Sequence, residues 1–85
     1  MKETKHRFGF EYKSRYEKLE RLSTSEGCVV YKGFLDGKTF IVVDCGTLAD
    51  FLKDEPIMLN ELITIYEFDR EMEADSFIKN RGKNV

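Results

Sequence analysis

The chain has 85 residues, with 14 Lys and Arg against 16 Asp and Glu, a formal charge of −2 and 41% hydrophobic residues. That length fits one domain with a modest core, in which about 60–65% of the unfolded surface is buried. The balance excludes intrinsic disorder and a uniformly basic nucleic-acid-coating protein.

The chain opens Met1-Lys2-Glu3-Thr4-Lys5-His6-Arg7 with no apolar stretch behind it, so no secretory signal is expected. The longest apolar run, Phe40-Ile41-Val42-Val43, is far short of the roughly 18 residues a membrane span requires. A cytoplasmic setting without membrane contact is the expectation. Residues 1–13 alternate, with Phe8, Phe10 and Tyr12 on one side and Gly9, Glu11 and Lys13 between them, which reads as a short strand or an extended arm. Residues 1–7 and 81–85 are expected to be flexible ends of a single domain spanning 1–85.

From Ser14 the period changes. Tyr12, Tyr16, Leu19 and Leu22 recur at helical spacing, and Ser14-Arg15-Tyr16-Glu17 resembles a capping box, so a helix is predicted over 14–22. Ser23-Thr24-Ser25-Glu26-Gly27 reads as a loop. Cys28 to Leu35 and Lys38 to Cys45 are β-rich runs joined by Asp36-Gly37, the strongest short-range hairpin signal, because a type I′ turn needs positive φ twice.

With Asp36 and Gly37 as the loop, Leu35 faces Lys38, Gly33 faces Phe40, Tyr31 faces Val42 and Cys28 faces Cys45. Alternation outward from the 35/38 pair makes 28/45 a non-hydrogen-bonded pair, where Cα atoms are closest. This register permits a cross-strand disulfide, whereas a cytoplasmic setting favours two buried thiols. One hairpin face carries Cys28, Val30, Phe34, Ile41, Val43 and Cys45. The other carries Val29, Tyr31, Leu35, Phe40 and Val42. Two apolar faces need two covers, supplied by the 14–22 helix or by a second copy of the chain, so a homodimer is expected.

Thr47-Leu48-Ala49-Asp50 predicts the start of a short helix reaching about Asp54 and limited by Pro56. Leu62 to Phe68 is β-branched and aromatic and predicts a strand, although Leu59, Leu62, Ile63 and Tyr66 also fit one helix face. Asp69 is expected to cap a last helix over about 70–79 that turns Ala74, Phe77 and Ile78 inward. The predicted fold is α+β, in the order α-β-β-α-β-α, with a small and largely antiparallel sheet.

Charge is unevenly spread. Residues 1–22 are net +3, and 23–43 are neutral. Residues 44–75 hold ten acids against Lys53 and Arg70, net −8, and 76–85 are net +3. Such a run is commonly a solvated surface, and acids at a helix start also suit the macrodipole. The sharper expectation is a binding surface built from Asp54, Glu55, Glu67, Asp69, Glu71, Glu73 and Asp75. Carboxylates set along a fold imitate a phosphate backbone, so such a surface would act as an inhibitor or nucleic-acid mimic on a basic protein. A nucleoid-associated or transcription protein is the expected kind of partner.

The alternative is a single-stranded nucleic-acid-binding module made from Lys5, Arg7, Phe8, Phe10, Tyr12, Lys13 and Arg15, which interleaves cations with stacking rings. A structural assembly protein is a further option. No cofactor motif is present. His6, Cys28 and Cys45 lack the spacing of a metal set, and Asp44 lacks the downstream Glu-x-Lys pattern of a metal nuclease. The expectation is therefore a non-enzymatic protein.

Overall fold

The computed structural model describes residues 1–6, 10–25, 28–45 and 63–83. These form five strands and one helix: β1 (Lys2–His6), β2 (Glu17–Ser25), β3 (Cys28–Leu35), β4 (Lys38–Cys45), β5 (Ile63–Phe68) and α1 (Glu71–Lys83). The strands make a single sheet, with every neighbouring pair antiparallel, in the order β1-β5-β4-β3-β2.

The centre of this sheet follows from the turn. Asp36 and Gly37 have φ of 52° and 79°, the two positive values that a type I′ hairpin demands. The β3–β4 ladder then runs from Leu35↔Lys38 through Gly33↔Phe40 and Tyr31↔Val42 to Cys28↔Cys45, as the turn predicts. Cys28 and Cys45 are joined by a disulfide, with their Cα atoms 4.0 Å apart as suits a non-hydrogen-bonded pair. The expected pair of free thiols is thus replaced by the bridge that the register permits.

The predicted order α-β-β-α-β-α is incorrect. The 14–22 helix does not form; its residues pass through a turn at 13–15 into β2, which pairs with β3. Two bulges explain the misleading period. The ladder shifts by one residue between Glu17 and Glu20 and again between Arg21 and Ser23, and Lys18 takes a φ of 51°. An extra residue at a bulge puts side chains three apart on the same face, which in sequence looks like a helix. Tyr16 and Leu19 are such a pair, and both press on Gly33. The first residues, read as a short strand or an extended arm with a flexible end, supply β1, an edge strand along β5. The helix predicted over 48–54 lies outside the described residues.

Helix α1 begins one residue later than expected. The Arg70 carbonyl accepts the first helical bonds from the Glu73 and Ala74 N–H groups. The Glu73 carboxylate in turn accepts from the Arg70 N–H at 3.2 Å, the reciprocal half of a capping box, so Arg70 caps the helix and Asp69 precedes it. α1 lies on the face where Val30, Ile41, Val43 and Phe68 are buried. It contributes a fully buried Ala74, with Phe77 and Ile78 packed at the margin and Phe77 set between the rings of Tyr66 and Phe68.

The opposite face is also covered, and from within the chain. Tyr12 is buried against Val42, Ile63 and Ile65, with Phe10, Tyr16, Leu19, Tyr31 and Phe40 around it. On the second apolar face that suggested a homodimer, residues 10–19 cover Tyr31, Phe40 and Val42.

Both sheet edges carry features that discourage further pairing. β1 reads Lys-Glu-Thr-Lys-His and is mostly exposed, whereas β2 is bulged twice.

Candidate functional site

The acidic stretch emerges at the corner where β5 passes into α1. Glu67 ends up on the sheet opposite Phe40, Asp69 follows the strand, and Glu71, Glu73 and Asp75 occupy the first turns of α1. Five of the seven predicted acids therefore line the passage from β5 into α1, with Glu67 on the sheet face away from α1 and Glu71 and Asp75 on the helix. Asp54 and Glu55 lie outside the described residues.

Sequence reasoning missed the cations that meet them. The Lys32 ammonium, projecting from β3 on the helix-bearing face, donates to Glu71 at 2.6 Å and to Asp75 at 2.7 Å. Two carboxylates one helical turn apart thus clasp one lysine and tie α1 to the sheet. Only 12% of the Lys32 side chain is exposed. Burial pulls its pKa down, but hydrogen bonds and charge from Asp75 and Glu71 outweigh burial and hold it above the usual lysine range. Lys38 donates to Glu67 at 3.0 Å, with Asp69 at 3.7 Å, and the bond from Glu67 likewise raises its pKa.

These contacts rank the acids. Glu71 and Asp75 stabilise the fold through a lysine that is mostly buried, and Glu67 is only 26% exposed. Asp69 is 83% exposed, and Glu73 is exposed with one oxygen engaged by the helix cap. Among the described residues here, the five carboxylates outnumber Lys32, Lys38 and Arg70.

Most of the basic and aromatic set lies on the face away from α1, which Glu67 shares, while Lys5 stands on the helix-bearing face; the set is largely used internally. Tyr12 is 3% exposed, and its hydroxyl donates to the Asp44 carboxylate, with Tyr31 also in hydrogen-bonding reach. Burial, followed by Asp44, raises the Tyr12 pKa strongly, so the phenol stays protonated. Phe10 stacks on His6, with ring centroids 3.7 Å apart and 9° between planes, and the Arg15 guanidinium lies 4.6 Å from the same ring. Both neighbours compete for the ring surface that a base would need. Lys13 sits 5.7 Å over Tyr31, and Lys5 is on β1. Arg7 and Phe8 are outside the described residues.

His6 provides a pH test. Burial, then the Arg15 charge, lowers its pKa from 6.5, so folding favours the neutral ring. Above pH 6.5 the ring is neutral in both states and this stabilisation is fully present. As pH falls from 6.5 through the lower folded value, the unfolded chain takes up the proton more readily and stability declines. Denaturant midpoints for the wild type and for His6→Gln should therefore converge on acidification across that window. A constant difference between the two would show that His6 keeps its ordinary pKa.

Among the described residues no group of three His, Cys, Asp or Glu side chains is arranged to hold a metal ion. No helix among them is long and apolar enough to cross a membrane. Comparison with protein-family models, with curated proteins and with solved structures returned no match.

Proposed function

We propose that this chain is a non-enzymatic binding module that presents its acidic corner to a basic protein surface. The observation that supports this reading is the succession of Glu67, Asp69, Glu71, Glu73 and Asp75 along the passage from β5 into α1, with Asp69 and Glu73 facing solvent. Lys32 and Lys38, distant in sequence from these acids, neutralise part of that charge, and the remainder is available to an incoming cation. Exposed carboxylates steer a basic partner at long range and contribute more to association rate and selectivity than to burial energy. A DNA-binding protein offers the matching surface, and the module would then compete with nucleic acid for it. The nucleic-acid-binding alternative draws less support, because Tyr12 is buried and Phe10 is already stacked.

The test uses changes that preserve shape. Asp69→Asn with Glu73→Gln removes two charges while leaving Lys32 its two carboxylates and the helix its cap. Basic proteins captured from lysate by the wild type at about 0.15 M salt should be lost both in this double variant and near 1 M salt, where screening is nearly complete. Duplex DNA should displace the captured partner if the corner acts as a nucleic-acid mimic. Capture that survives both the variant and the salt removes the acidic-corner reading. Direct binding of single-stranded DNA by the chain alone would transfer support to the alternative.

A further inference from the structure

We infer that Cys28 and Cys45 form a reversible dithiol–disulfide couple that opens and closes within the folded protein. These are the only two cysteines in the sequence, so the bridge competes with no other thiol of the chain. What holds them together does not depend on the bond between them. The Asp36–Gly37 turn sets the hairpin register, and seven further pairs, from Val29↔Asp44 to Leu35↔Lys38, repeat it.

Both cysteines also stand in interior strands of the sheet. β3 is paired on its other side by β2, and β4 on its other side by β5. The bridge closes the last pair of a ladder that already exists, so breaking it releases no strand that it alone secures. Both residues are half-buried at the margin of the Val30, Ile41 and Val43 cluster and not among its fully buried members.

The redox step involves a small dithiol as reductant. One of its thiolates attacks a bridge sulfur and forms a mixed disulfide, and its second thiolate then displaces the protein sulfur. Two electrons and two protons pass to Cys28 and Cys45, and the reductant leaves as a cyclic disulfide. After reduction the ladder keeps the two thiols opposite one another, which favours reclosure over intermolecular pairing.

The decisive experiment treats folded protein with dithiothreitol and no denaturant, then alkylates it and weighs it, with the far-ultraviolet dichroism followed in parallel. Two alkyl groups should appear together while the sheet spectrum persists. Oxidised dithiothreitol should then restore the unalkylated, reduced sample to the bridged mass. Reduction should lower the urea midpoint and raise the slope, because the unfolded chain, no longer restricted by the closed loop, exposes more surface.

Resistance to reduction until denaturant is added would overturn the proposal, as would loss of the sheet spectrum once the bond opens. Cys28→Ala with Cys45→Ala provides an independent check. The variant should retain the sheet spectrum of the reduced protein, and an unfolded variant would show that the ladder cannot stand without the bond.

Discussion

Tyr12→Ala is expected to cost about 3–5 kcal/mol, the range for removing a large buried aromatic side chain. For a domain whose whole stability is of the order of 5–15 kcal/mol, this is close to the threshold of unfolding at physiological temperature. The reason lies in what Tyr12 covers. Its ring fills the space over Val42, Ile63 and Ile65, and its hydroxyl satisfies Asp44 at the end of β4.

Tyr12→Phe separates the two contributions. It keeps the ring and deletes the donor, leaving the half-buried Asp44 carboxylate without that bond, for an expected loss of about 1–3 kcal/mol. Urea unfolding of both variants, with slopes equal to the wild type, reads the two losses directly. An alanine variant within about 1 kcal/mol of the wild type, well below the range for a buried aromatic, would mean that residues 10–16 do not close this face in solution.

The covering of that face shows where sequence reasoning succeeds and where it stops. The hairpin was legible to the level of individual pairs, because Asp36-Gly37 is a local signal and a ladder propagates one register along its whole length. The inward face of α1 was legible for the same reason, since composition and period act over a few residues, whereas β5 was the favoured of two readings, because Leu62, Ile63 and Tyr66 also fit one helix face. β1 was not, because Lys-Glu-Thr-Lys-His carries no apolar alternation and owes its strand form to β5 beside it. β2 imitated a helix because its bulges break the two-residue period.

The candidate site divides in the same way. The clustering of acids was visible in sequence, since five of them fall within nine positions. Their partners were not, because Lys32 stands 39 and 43 residues from Glu71 and Asp75, and Lys38 stands 29 from Glu67. The fold thus brings together opposite charges that lie in separate segments of the sequence. A lysine held between two helical carboxylates is structural first, and for that reason Asp69 and Glu73 are the more discriminating positions for testing partner capture.

Gly33→Val should be similarly damaging. A Cβ placed on Gly33 would lie 2.8 Å from the Cβ of Tyr16 and 2.9 Å from Cδ1 of Leu19, both closer than real Cβ contacts allow. Leu19 could swing its methyl away, but the Tyr16 Cβ is fixed to the backbone, so relief requires the chain entering β2 to lift off the sheet. Alanine alone should therefore cost about 1–3 kcal/mol by overpacking, despite the usual gain from replacing glycine within a strand. Valine adds two methyl groups to the same space and should exceed that range. Because the clash bears on the cover and not on the β3–β4 ladder, amide exchange should accelerate first in β2, while Ile41 and Val42 stay protected to the global limit. An alanine variant as stable as the wild type would show that Tyr16 and Leu19 do not rest on Gly33, and with it would fall the bulged register that makes β2 a strand.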